Sequence, residues 1–231
     1  MGLSRQEWLI LSSMSNFRYK NYEVELKYNP KLKNTYIAID PPQKVVVKSA
    51  NNSYSYIINL LKSRDAWIEK QFQKQKNCIS LDMNIEDEIL LFGQKYSIDS
   101  EEALFLREKL HALQAPSKQK ILKCYNDFYK ILAKDYLQER AICFAQVMGL
   151  SFETIKYRKM KSRWGSCSNT RTITFNTELM KVDKEMIDYV VVHELAHLKY
   201  MNHSKAFHTL VESYLPNSKQ IRIRLKQVQL R

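Results

Sequence analysis

The feature that most restricts what this chain can fold into is a cluster of histidines in its last forty residues. Four of the five histidines lie within residues 193–208, and His193 and His197 are one helical turn apart. Residues four apart on a helix project from the same face, with Cβ atoms about 5–6 Å apart. Both rings can therefore reach one metal ion, because Zn–N bonds are about 2.0–2.1 Å long. The spacing predicts a helix over 184–200 with a metal site on one face.

A glutamate directly follows the first histidine of this pair. Glu194 is turned by about 100° from His193 around the helix axis, because one turn takes about 3.6 residues. This offset places its carboxylate beside an ion held by the histidines, where it can accept a proton from a bound water. The preceding residues 190–192 are all valines, which predicts that the helix enters an apolar core. We therefore predict Glu194 as a general base.

A third protein ligand has to come from beyond this helix. His203 is six residues after His197, which on a continuous helix would turn it about 120° away from the ligand face. It can bind only if the helix ends and the chain turns back. Residues 201–202 followed by a Ser204 cap allow that turn. We expect His203 to be the third ligand.

Two other side chains could take the place of His203. His208 and Glu212 are one turn apart on a second predicted helix over 204–215, and a glutamate ligand would give a His₂Glu site. If His203 binds, we expect His208 to lie near the substrate or behind a ligand. The remaining histidine, His111, is predicted to lie on a helix surface.

The first hundred residues predict a β-rich module with one long helix. Alternating apolar residues and a β-branched run, separated by proline-containing turns, predict an antiparallel meander. Apolar residues at helical spacing over 53–76 predict an amphipathic helix. A hairpin that turns near Gly93 is expected over 89–98. The three strands of the meander are expected at 22–28, 36–39 and 45–47.

The second half predicts a mixed core of helices and strands. An apolar stripe over 117–148, with Pro116 before it and Gly149 after it, predicts a long helix. Two strands are expected on either side of a turn at 163–168. The fold class is therefore α+β with two domains. The predicted strands are 152–157 and 171–176, and the predicted domains are 1–100 and 101–231.

The chain is strongly basic, with a net charge of +13 from 37 Lys and Arg against 24 Asp and Glu. Basic residues concentrate at 156–163 and in the tail, at 219–231. Such a surface favours polyanions, and nucleic acid is a candidate partner if the two segments form one stripe that leads to the metal site.

Other composition features bear on location. No stretch approaches the roughly 20 consecutive apolar residues that cross a bilayer. The amino-terminal residues lack a secretory signal, and the four cysteines are widely spaced. We therefore expect a cytoplasmic protein with reduced thiols and no membrane contact. The sequence does not define an oligomeric state.

Four motifs of the second half occur in order: KSRWGSCS at 161–168, ITFN at 173–176, YVVVHELAHLK at 189–199 and NHSKAF at 202–207. Together they closely resemble the YgjP-like zinc metallopeptidases, bacterial relatives of the SprT and Wss1 groups. The predicted meander, Trp67-Ile68 and FGQKY at 92–96 also look like this family, so the resemblance spans most of the chain. The family usually has tryptophan where this chain has His208.

The resemblance implies a zincin-like catalytic core that hydrolyses protein or peptide substrates. One Zn²⁺ would be held by His193, His197 and His203, with Glu194 as the general base. Three protein ligands leave one zinc position for water.

Further residues are expected on the substrate side of this site. The strand over 171–176 is expected to be an edge on which an extended peptide pairs. The donor that stabilises the oxyanion stays open among Tyr157, Arg163, Tyr200 and His208. Substrate contact or support of the ligands is expected from Arg163, Trp164, Asn176 and His208.

Two alternatives stay open. The basic surface could recruit the chain to DNA, as an SprT-like protease of DNA-bound proteins, or the metal could be bound without catalysis. The substrate could also be a small amide, because a water activated by a metal ion attacks the carbonyl group of many kinds of compound.

Overall fold

The computed structural model divides the chain into two units, Met1–Cys78 and Ile79–Arg231. It describes residues 16–40, 43–76, 79–81, 83–85 and 87–230. The first unit combines a sheet with one long helix, and the second mixes helices with short strands. The predicted α+β class is therefore confirmed.

The first unit contains a four-stranded sheet with the strand order β1-β2-β4-β3. β2 and β4 are parallel, whereas the other two pairs are antiparallel, so the strands do not form a simple meander. β4 has neighbours on both sides, and its residues Val45, Val46 and Val47 are all buried. The strands are β1 Asn16–Tyr19, β2 Tyr22–Tyr28, β3 Tyr36–Asp40 and β4 Lys44–Ser49.

The predicted long helix of this unit is present as α1, Tyr54–Lys76. Its buried residues are four or seven positions apart, which is one or two helical turns, so they form one stripe along the helix. This stripe packs with buried residues of β2 and β4 in one cluster, which is the core of the first unit. The buried helix residues are Ile57, Leu61, Ile68 and Phe72.

The second unit contains twelve of the helices and strands formed by the described residues. The strands are β5 Ile79–Ser80, β6 Glu88–Leu91, β7 Gln94–Ser97, β8 Thr154–Arg158, β9 Gly165–Cys167, β10 Thr172–Asn176 and β11 Val228–Gln229. The helices are α2 Leu104–His111, α3 Lys118–Met148, α4 Lys184–Ala196, α5 Lys205–Tyr214 and α6 Ser218–Leu225. Short 3₁₀ segments occupy Glu101–Ala103 and Thr177–Lys181.

The hairpin of β6 and β7 turns at Gly93 as predicted, and it packs within the second unit. Ile89 and Leu91 belong to the core of that unit, and the Phe92 amide donates to the Met180 carbonyl at 2.8 Å. The sequence analysis assigns this hairpin to the first predicted domain, 1–100. Its apolar side chains instead fill the core formed around α3 and α4.

The ends of α3 agree with the predicted capping signals. The Ser117 hydroxyl accepts a hydrogen bond from the Lys120 amide at 3.3 Å, and Gly149 adopts a left-handed conformation with φ of 64°.

The sheet that follows α3 differs from the prediction, because residues 165–167 form β9 rather than a turn. β9 pairs antiparallel with β10, and β8 pairs parallel with its other side. β10 is therefore central, and the expectation that it forms an edge is wrong.

α4 runs into the core of the second unit, as its valines predict. Nine of its residues are buried, including all of 190–192. None of the helices in the part of the chain that the structure describes is long and apolar enough to cross a membrane.

Replacing Tyr129 by Phe tests how the hairpin is fixed to α3. The buried Tyr129 hydroxyl donates to the Leu90 carbonyl at 2.9 Å and accepts from the Leu90 amide at 3.1 Å. Because Tyr129→Phe leaves two buried backbone groups unpaired, we expect a loss of about 1–3 kcal/mol in the free energy of unfolding. Urea unfolding followed by circular dichroism measures it, together with hydrogen exchange at the Leu90 amide.

Tyr125→Phe is the matched control on the same helix. The Tyr125 hydroxyl makes one bond, to the Glu88 carbonyl at 3.2 Å, so the cost should be smaller. Equal losses in the free energy of unfolding for the two variants would show that the two hydrogen bonds to Leu90 do not fix the hairpin.

Candidate metal centre

The end of α4 determines where its histidines point. The helix ends at Ala196, four residues before the predicted end, and the following residues form turns. The Nδ1 of His197 donates to the Tyr200 carbonyl at 3.0 Å, because a carbonyl can only accept. The proton on Nδ1 leaves the Nε2 lone pair of His197 free to bind a metal.

The turn after α4 brings His203 back towards His193. The Ser204 hydroxyl caps α5 by accepting from the Phe207 amide at 3.3 Å, and this starts the second helix where the sequence predicts it. The Nε2 atoms of His203 and His193 are 3.0 Å apart. One ligand atom each from His193, His197 and His203 lies within 4.8 Å of the others. Tetrahedral zinc separates its nitrogen ligands by about 3.3 Å, so this donor set suits such an ion.

The phenyl ring of Phe207 is the common support of the three imidazoles. Its centroid lies 4.9 Å from that of His193, 4.6 Å from His197 and 4.8 Å from His203. The ring is fully buried, so it cannot move without disturbing the core. One apolar side chain thus orients all three histidines.

His193 is partly buried, whereas His203 is exposed. Burial, together with the neighbouring histidines, lowers the pKa of His193 to about 3. The ring is therefore neutral at ordinary pH, which is the form that binds a metal. The Tyr189 hydroxyl is 3.5 Å from its Nδ1, at the long end of hydrogen-bond range.

Glu194 is buried beside the cluster, with 5% of its surface exposed. Burial raises the pKa of Glu194 to about 8, and the positive charge of Arg163 acts in the opposite direction. The carboxylate lies against β9, where a Cβ on Gly165 would be 2.6 Å from Glu194 Oε1. Only glycine leaves room for this approach, so Gly165 sets the position of the carboxylate.

A cavity of about 450 Å³ opens beside His193, His203 and Glu194. Two of its lining residues, Arg163 and Trp164, were predicted on the substrate side. It is lined by Arg163, Trp164, Gly165, Tyr189, Val190, His193, Glu194, His203, Arg222, Leu225 and Lys226.

The other two predicted residues lie elsewhere. The Asn176 side chain is buried and donates to the carbonyls of Met160 at 2.7 Å and Arg163 at 2.9 Å, so it holds the segment that carries Arg163. The His208 ring lies 6.2 Å from that of His203 and lines a separate cavity with Glu212.

The remaining predictions around the site have different outcomes. The described residues that could hold a metal are His193, His197 and His203, so His208 and Glu212 are not brought into that group. Of the four suggested oxyanion donors, only Arg163 lines the cavity. The hydroxyl of Tyr157 is buried without a partner among the described residues, and Tyr200 contributes its carbonyl to His197. His111 is exposed, as predicted.

Sequence reasoning did not anticipate the wall formed by α6. Arg222 and Leu225 lie on this helix, Lys226 caps its end, and Tyr189 completes the wall from α4. Arg163 comes from one of the two basic segments of the sequence, and Arg222 and Lys226 come from the other. The available signal was the basic tail, but its position in space depends on α6, which the sequence analysis did not predict.

Three histidines and a glutamate in this arrangement, carried by a mixed α+β unit, are typical of metal-dependent peptidases. Comparison with known proteins gives the family. The chain belongs to the YgjP-like family, because the model of the YgjP-like metallopeptidase domain matches residues 33–228.

Solved metallopeptidase structures also match parts of the chain. The metallopeptidase zymogen abylysin of Pyrococcus abyssi is 27% identical, with 41% of this chain and 99% of that one covered and a TM-score of 0.37. The zymogen jannalysin of Methanocaldococcus jannaschii is 22% identical, with 39% and 94% covered and a TM-score of 0.36. No curated protein matches the chain.

Gly165→Ala tests whether the contact between β9 and Glu194 positions the carboxylate. The new methyl group would overlap Oε1, Cγ and Cδ of Glu194, so the side chain has to move. We expect peptidase activity to fall by about 100-fold, as misplacement of a reacting group by about 1 Å does. Hydrolysis of labelled casein measures the effect, and metal content should stay unchanged.

Gly149→Ala is the matched control for this substitution. A Cβ at Gly149 meets nothing within 4 Å, and the cost there is confined to the left-handed backbone. It should lower stability by about 1 kcal/mol and leave activity unchanged. Full activity of Gly165→Ala would contradict the proposed role of the glycine.

Proposed function

We propose that the protein is a zinc-dependent peptidase in which His193, His197 and His203 hold one zinc ion and Glu194 is the general base. The observation that carries this proposal is the convergence of three imidazole nitrogens next to a buried carboxylate. Membership of a metallopeptidase family supports it independently.

The choice of zinc follows from the donor set. Neutral imidazoles suit zinc, whereas carboxylate and carbonyl oxygens suit magnesium or calcium. The three histidines are the group of potential ligands that the described residues bring together, and Glu194 is adjacent to them in sequence. Three protein ligands with an open fourth position are typical of a catalytic zinc site rather than a structural one.

A zinc ion bound there would act as a Lewis acid and lower the pKa of water at the open position to about 7. The positive charge of a bound zinc would favour the ionised form of Glu194. Its carboxylate would accept the proton of that water and deliver it to the nitrogen of the leaving amine. Its burial beside Gly165 fixes the direction of this transfer and excludes bulk solvent from the carboxylate. The guanidinium of Arg163, which lines the cavity, is placed to stabilise negative charge on the attacked carbonyl oxygen.

We propose that an extended peptide substrate pairs with β9. This strand is one of the two outer strands of its three-stranded sheet, and Gly165 at its start lines the cavity. An exposed edge offers backbone donors and acceptors to an added strand. A cytoplasmic location and nucleic-acid binding stay predictions.

Glu194→Gln tests the general base. Glutamine keeps the shape of the side chain but cannot accept the proton, so turnover should fall by about 10²–10⁴-fold while zinc stays bound. Casein hydrolysis and elemental analysis of the purified protein measure the two quantities. Glu212→Gln, the same change on α5, should keep full turnover, and unaltered turnover in Glu194→Gln would remove the glutamate from this role.

His203→Ala tests the third ligand. Loss of one of three protein ligands should lower zinc affinity by at least about 100-fold, because the remaining pair binds far more weakly. Competition with a fluorescent zinc chelator measures the dissociation constant. His208→Ala should retain the affinity of the unaltered protein, and the opposite order of the two variants would assign the ligand to His208.

A further inference from the structure

Three cationic side chains line the cavity beside the histidine cluster. Arg163 precedes β9, Arg222 lies on α6, and Lys226 caps the end of that helix. Glu194 is the one acidic side chain in the lining, and the proposed mechanism uses it as the base. A substrate in this cavity therefore meets an excess of positive charge.

These three cations have no ion-pair partner within the residues that the structure describes, whereas their neighbours on α6 do. Arg224 pairs with Asp183 and with Glu185, the latter at 3.0 Å, and Lys219 pairs with Glu212 at 3.1 Å. On α6, therefore, Lys219 and Arg224 are paired and lie outside the cavity lining, whereas Arg222 and Lys226 line the cavity without an ion-pair partner among the described residues. The acidic side chains that pair with α6, namely Asp183, Glu185 and Glu212, do not line the cavity.

The rest of the lining increases the effect of these charges. Trp164, Val190 and Leu225 supply apolar surface, which lowers the local dielectric and strengthens attraction between charges. A metal ion at the cluster would add further positive charge. An anionic group entering the cavity is therefore favoured, and a cationic one is repelled.

The dimensions of the cavity favour a peptide over a nucleic acid as the source of that anion. A volume of about 450 Å³ suits a few side chains. Nucleic-acid grooves are longer, because they follow a phosphate backbone over several nucleotides, and they present aromatic rings for stacking. Besides the histidines, the aromatic rings of the lining are Trp164 and Tyr189, and the Tyr189 ring lies against His193 with centroids 5.7 Å apart.

We propose that the cavity selects peptide substrates that carry a carboxylate close to the cleaved bond, and that Arg222 and Lys226 bind it. This inference rests on the proposed function, since it names the substrate class of the same site. The carboxylate is either an Asp or Glu side chain or the carboxyl terminus of the peptide. Both present the same two oxygens to the cations.

The test uses the zinc-loaded full-length protein and paired pools of short fluorogenic peptides. The two pools differ in having Glu or Gln at one fixed position, which is moved along the peptide. A second pair compares free with amidated carboxyl termini. At one position, we expect kcat/KM for the Glu peptide to be about tenfold higher than for the Gln peptide. A tenfold ratio is the effect expected of one hydrogen bond to a charged group. The ratio should fall as salt is added.

Variants link this preference to the cations. Arg222→Gln and Lys226→Gln should each bring the ratio of kcat/KM values towards one. Lys219→Gln removes the same charge from the same helix but from a paired residue, so its ratio should stay that of the unaltered protein. A preference that persists in Arg222→Gln together with Lys226→Gln would overturn the assignment.

Binding separates this inference from the proposed function. The same peptides, labelled, are titrated into zinc-loaded Glu194→Gln and followed by anisotropy. Tighter binding of the carboxylate peptides supports the inference. If the unaltered protein hydrolyses none of these peptides, the proposed peptidase function fails while the inference on binding stands. Equal binding of Glu and Gln peptides at every position overturns the inference. Displacement of the acidic peptide by single-stranded oligo-dT at lower concentration, lost in Arg222→Gln, would also overturn it and assign the cations to nucleic acid.

Discussion

The positions of His193, Glu194 and His197 at the candidate metal centre depend on the burial of α4. Val191, Val192 and Leu195 are fully buried in the core of the second unit, so the helix cannot rotate without exposing them. Outside the core, Arg140 of α3 forms two parallel hydrogen bonds of 2.8 Å to Asp188 of α4, which restricts sliding of one helix along the other. The histidines and the glutamate are therefore held by packing that exists without a metal.

The parts of this arrangement that could be predicted from the sequence are those that local geometry determines. His193, Glu194 and His197 lie within one helical turn and a half, so their relative directions follow from helix periodicity alone. The ends of α3 follow from a serine cap and a left-handed glycine, and the start of α5 follows from Ser204. His203 was predicted by the same reasoning, because a turn short enough to return it to the cluster needs a capped second helix.

Features that depend on long-range pairing could not be predicted in this way. β10 was expected at an edge because residues 165–167 have no apolar alternation, yet these residues pair with it as β9 and bring Gly165 against Glu194. Asn176 was expected near the substrate, but its amide instead fixes the backbone before Trp164. Arg222 reaches the cavity through α6, whose position depends on packing against α4 and α5 rather than on a motif of its own.

The pairing of β11 with β5 has a consequence for biosynthesis. β5 opens the second unit and β11 is its last element, and the two strands are hydrogen-bonded in parallel. α6, which immediately precedes β11, forms one wall of the cavity. The histidine segment precedes α6 and β11 in the chain, so it leaves the ribosome before that wall and the small sheet can form. During synthesis the histidine cluster is therefore made before the wall that encloses the cavity next to it.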